Sequence, residues 1–178
     1  MQCVYECNPR RFERLLTILA MNNNLNPNST EELESLYQFL HDYDHSSILR
    51  KIPSNVRNRI LIRAFENIYG IQKEADVLVQ ILSKSIKNRP FEQMYKMDRN
   101  LLMLGAFELR HNDTEPNIII KEILIISDLL GNQKAGSYLS GILKTLAFGE
   151  RISIPFKVPI KPRPKIKLKK SSSTLPLL

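Results

Sequence analysis

Three arginines stand within five residues near the start of the chain, Arg10, Arg11 and Arg14. On one helix they crowd the first turns, where guanidinium groups either grip phosphate oxygens or form a solvated basic face. Arg59 and Arg63 lie four apart and should share an exposed helical face. His41 and His45 have the same spacing and could ligate a metal, but no third ligand cluster accompanies them, so no metal site is expected. Cys3 and Cys7 read as free thiols at a terminus, and the six glycines form no Gly-rich nucleotide loop. The expected chemistry is binding, with no catalysis and no cofactor.

Charge narrows the ligand. The formal net charge is +8, yet from Arg151 onward there are eight bases and no acid, so residues 1 to 150 balance at 18 bases against 18 acids. Within that neutral body Glu31 to Asp44 carries five acids and no base, while Arg50 to Arg63 carries five bases and no acid. A polar molecule with one basic face can hold a polyanion. No run of about 18 apolar residues and no apolar signal core occurs, so a soluble, cytoplasmic protein without a membrane partner is expected.

The elements that must position these groups are helical, because no alternating apolar and polar run of useful length appears. The fold class is therefore all-α. The organising stretch is Asp98 to Arg110, apolar almost all round a helical wheel, which belongs at the centre of a bundle. Gly105 in its middle costs about 1 kcal/mol relative to Ala unless a neighbouring helix uses the gap to approach. Glu108 alone breaks the run and needs donors; the free amides opening the next helix, near Pro116, are the expected source.

Around this rod the other helices follow in order. Asn8 caps and Pro9 opens a helix to Met21, with Phe12, Leu15, Leu16 and Leu19 at helical spacing. Ser29 and Glu32 form a capping box for a second helix carrying Leu33, Leu36, Tyr37 and Leu40. Ser54 caps a third, with Val56, Ile60, Ala64, Phe65 and Ile68 inward and Gly70 as its stop; a fourth runs from about Gln72 to Ile86. The helix from about Asn117 to Leu130 turns Ile119, Ile123, Ile126 and Leu130 to the core. Ile118, Ile125 and Leu129 fall on a neighbouring stripe that suits a partner protein or a homodimer seam. Leu139, Ile142, Leu143 and Leu146 mark the last helix. Residues 1–150 form one domain, and residues 151–178, basic and rich in proline, form an extended or disordered tail expected to add salt-sensitive affinity for a polyanion.

The stretch from Asn88 to Leu109, with its Asp98-Arg99 pair, Leu-rich helix and Phe107-Glu108-Leu109 ending, resembles the NusB family of transcription antitermination factors. IIIKEILIISDLLG ending at Gly131, then NQKAGSYLSGILKTLA to Ala147, extends the resemblance to residues 76–147. Arg89, Met103, Lys121 and Ser140 depart from the residues usual in that family. The resemblance implies a bundle of about seven helices that binds single-stranded boxA-like leader RNA together with the ribosomal protein NusE, within an RNA polymerase antitermination complex serving ribosomal RNA operons. It marks Tyr138 as a candidate stacking platform. Lys134 adds local positive charge, and Arg99 opens the central helix as a further RNA candidate or a partner for Asp98. On this reading the early arginines, Lys134 and Tyr138 share one cationic edge. The alternatives are a NusB-like interaction module without specific RNA binding, and an enzyme of the ribosomal RNA methyltransferase kind, which the short chain and absent catalytic residues disfavour.

Overall fold

Apolar runs bounded by asparagine, proline and glycine set the helices. In the computed structural model, residues 8–25, 53–86 and 90–149 are described. They form six α-helices: α1 Pro9–Asn22, α2 Ser54–Lys73, α3 Ala75–Ser85, α4 Lys96–His111, α5 Pro116–Leu129 and α6 Gly136–Phe148, with 3-10 turns at Phe91–Gln93 and Gln133–Ala135. No strand occurs among the described residues. The capping box at Ser29 and Glu32, His41 and His45, both cysteines, Arg89 and the tail from Arg151 lie outside them.

The central rod is α4. Every residue from Leu101 to Arg110 is buried, and α4 packs against each of the other five described helices. Gly105 is the close approach its position demanded: a Cβ there would lie 2.8 Å from Leu143 Cδ2 on α6.

Helix ends follow local chemistry. Asn8 Oδ1 accepts from the amides of Arg10 and Arg11, at 3.1 and 3.3 Å, and Pro9 opens α1. Asn24, at φ +57, and Gly131, at φ +79, take the left-handed positions after α1 and α5. In each case the next residue's amide reaches back across the turn, Leu25 to the Ala20 carbonyl and Asn132 to the Ser127 carbonyl, so orphan carbonyls are satisfied.

Two expectations are corrected. Gly70 does not stop α2, which runs on to Lys73. Its missing side chain instead admits the Phe107 ring, since a Cβ would sit 2.4 Å from Cζ. The break comes at Glu74, and α3 starts at Ala75 rather than Gln72. Glu74 is anchored there by Arg110 and His111 in the last turn of α4, at 3.4 and 2.9 Å.

Candidate nucleic-acid interface

The first turns of α1 show what the three arginines do. Arg14 is buried and donates through Nε to both carboxylate oxygens of Glu108, at 2.8 and 2.9 Å. Glu108 is thus satisfied by a side chain from α1 and not by the amides opening α5. Arg11 forms a two-point contact with Glu122 of α5, Nε to Oε2 at 2.8 Å and Nη2 to Oε1 at 2.7 Å. The Arg11 hydrogen bonds and charge hold the Glu122 carboxyl below the ordinary carboxylate range, and Glu122 in turn raises the Arg11 pKa. Glu13 is pushed the other way by burial, with Glu108 adding to the effect, while Arg63 at 3.8 Å, Arg14 and Asn67 pull it back.

Of the three, only Arg10 is exposed, with Nη1 donating to Thr114 Oγ1 at 3.3 Å. It lines a cleft of about 860 Å³ together with Arg59 and Arg63 of α2. Arg59 is exposed and makes no ion pair among the described residues; Arg63 shares its face, as the spacing required.

The remaining candidates lie elsewhere. Lys134 is exposed in the turn before α6, and Tyr138 is half-buried, its hydroxyl 3.9 Å from Met94 Sδ. Arg99, in the first turn of α4, reaches the Glu92 carbonyl at 3.4 Å. Asp98 accepts from the Asn132 side chain rather than pairing with Arg99, which latches the start of α6 to the start of α4. The expected single edge is therefore corrected to two groups. Arg10 sits beyond the C-terminal end of α4 and Tyr138, Lys134 and Arg99 gather at its N-terminal end, and a 16-residue helix spans about 24 Å.

One residue escaped the sequence reading. Tyr95, the cap position of α4, is 73 % exposed, next to Met94 and one turn before Arg99. An aromatic ring standing in solvent beside a guanidinium can stack an unpaired base while the cation holds its phosphate. Only its place after a short turn hinted at this. On α5, Ile118 is 49 % exposed and Ile125 and Leu129 are half-buried, forming the outer stripe of that helix. Among the described residues there is no cluster of metal-ligating side chains and no helix long and apolar enough to cross a membrane.

Comparisons with known proteins agree with this architecture. The transcription antitermination protein NusB of Myxococcus xanthus is 29 % identical over 96 residues, which cover 53 % of this chain and 69 % of the relative. That of Sorangium cellulosum is 27 % identical over 99 residues, 55 % of this chain and 69 % of the relative. That of Burkholderia lata is 32 % identical over 81 residues, 45 % of this chain and 55 % of the relative. No solved structure gives a significant match. The NusB family profile matches residues 13–148, from the second turn of α1 to the last residue of α6, and on that extent the chain belongs to the NusB family.

Proposed function

We propose that this chain is a transcription antitermination factor that binds boxA-type single-stranded leader RNA together with NusE and supports transcription of ribosomal RNA operons. The observation that carries the reading is the family match over residues 13–148, a family of non-enzymatic antitermination factors. The placement of cations and aromatic rings supports it. Arg10 at one end of α4, and Arg99, Lys134, Tyr138 and Tyr95 at the other, are separated by a distance that a strand of several nucleotides covers, with phosphates held at one end and bases stacked at the other. Arg11 and Arg14 act through the fold by fixing α1 against α4 and α5. The outer stripe Ile118, Ile125 and Leu129 is the proposed NusE surface.

A second reading, a NusB-like module that binds protein without specific RNA recognition, is favoured by the commitment of two of the three early arginines to internal ion pairs. Binding of a fluorescent boxA-like RNA against a scrambled oligomer, with NusE pull-down in the presence and absence of the RNA, separates the two. Preference for boxA and RNA-enhanced capture of NusE support the first. Capture of NusE with equal, weak binding of both RNAs supports the second.

A further inference from the structure

A recess of about 270 Å³ opens between the end of α1, the α2–α3 junction and the start of α4. Its floor is apolar and soft, with Met21, Phe91 and Met103, while Gln72, Arg99 and Asn100 stand around it. Gln72 Oε1 is buried with no hydrogen-bond partner among the described residues. Asn100 uses its amide nitrogen on Asn22 Oδ1 at 2.7 Å, and its own oxygen takes no hydrogen bond among the described residues. Arg99 spends one long contact, 3.4 Å, on the Glu92 carbonyl and keeps further donors for a ligand.

Resting on the RNA-binding reading above, we infer that this recess takes one unstacked nucleobase from the bound strand. The fit is chemical. A base is flat and apolar on its faces and carries N–H donors at its edge, so sulfur and an aromatic ring can pack against the faces while the Asn100 carbonyl accepts from the edge and Gln72 Oε1, occluded as it stands, accepts once its side chain turns toward the base. The phosphate that follows the base lies at the mouth, where Arg99 can pair with it. The volume is just below the range of drug-sized pockets, about 300–1,000 Å³, and suits a single ring system. Such a pocket reads base identity, which phosphate contacts elsewhere on the surface do not.

The test uses the full chain and four single-stranded RNA hexamers, oligo(A), oligo(C), oligo(G) and oligo(U), by fluorescence anisotropy. Two variants are compared with the parent: Gln72→Leu, which removes the edge acceptor, and Ala75→Leu, which fills the recess from its rim. The expected result is a base preference in the parent that falls about tenfold in both variants, the scale of one lost base contact. The salt slope stays unchanged because the phosphate contacts are untouched. Circular dichroism melting identifies a variant that fails to fold, and Gln72→Glu, which keeps the acceptors and alters the charge, then serves as the third probe and is expected to change the order of preference. If the parent binds RNA and the folded variants keep its preference, the recess holds no base and the RNA reading stands. If the parent binds none of the four, the recess reading is overturned, and the boxA-like RNA assay above decides the RNA reading by itself.

Discussion

Arg14 and Glu108, 94 residues apart in sequence, meet inside the bundle with the Arg14 Nε within 2.9 Å of both carboxylate oxygens. Their side chains are 4 % and 3 % exposed, so each is the other's main compensation for lost water. Removing one partner from such a pair costs about 3–5 kcal/mol, because a charge is left buried alone. Arg14→Ala and Glu108→Ala are expected to lose that much in urea unfolding. The double replacement Arg14→Met with Glu108→Leu recovers most of it, and a double variant no better than the singles would show that the pair is not what α1 depends on.

Arg10 should behave in the opposite way. Its guanidinium is exposed, and an exposed substitution away from packed features shifts stability by less than about 0.5 kcal/mol. Arg10→Ala is expected to weaken RNA binding and to reduce the salt slope by about 0.7, the value for one phosphate on a single strand. Titrations at several salt concentrations measure it, and an unchanged slope would take Arg10 out of the interface.

Tyr95→Ala is expected to lower RNA affinity roughly 5- to 150-fold, the range for losing one base–aromatic stack. Tyr95→Phe keeps the ring and should keep the affinity. If Tyr95→Phe is as weak as Tyr95→Ala, the hydroxyl matters and stacking is not the mechanism.

Two carboxylates on the α1 face give stability opposite pH dependences. Glu122 has its folded pKa lowered by Arg11, so its contribution is present above the unfolded value and disappears as pH falls through the lowered folded value. Glu13 has its folded pKa raised by burial, so its contribution is complete below the unfolded value and is lost as pH rises through the folded one. Glu13→Gln is therefore expected to be more stable than the parent at neutral pH, with the difference closing in acid. Glu122→Gln is expected to be less stable at neutral pH, again converging in acid. Melting temperatures across the acid range check both signs.

Gly70→Ala is expected to be worse than Gly105→Ala. The new methyl at position 70 meets the Phe107 ring at 2.4 Å, whereas at position 105 it meets the tip of Leu143 at 2.8 Å, which can turn away. Overpacking of this kind costs about 1–3 kcal/mol. Trimming Leu143 to Ala should relieve part of the strain at Gly105, and unfolding curves of the pair with the single variants measure the coupling.

What could be read from the chain was whatever depends on periodicity. The all-round apolar stretch of α4, the Asn8–Pro9 opening of α1 and the stop at Gly131 are local patterns, and each has one dominant physical outcome. Partner choice was not legible. Arg14 looks the same in sequence whether it faces water or Glu108, because a pairing across 94 positions leaves no local trace. Gly70 suggests a stop, since a glycine near a helix end usually is one; only the position of Phe107 shows that it serves packing. Asp98 has a cation beside it in sequence but accepts from the amide of Asn132, 34 residues on and just past α5. Tyr95 betrayed its exposure only by its place after a short turn, and Arg10 stands apart from Tyr138 because the N-terminal turns of α1 and α6 lie at opposite ends of α4.

The encasement of α4 has a consequence for how a ligand is accommodated. A rod buried continuously from Leu101 to Arg110 and touched by all five described neighbours cannot slide or flex without opening voids on every side. It therefore acts as a ruler: the gap between the Arg10 pole and the Tyr95 pole is set by the protein, and a strand bound as proposed would have to adjust its own reach to match.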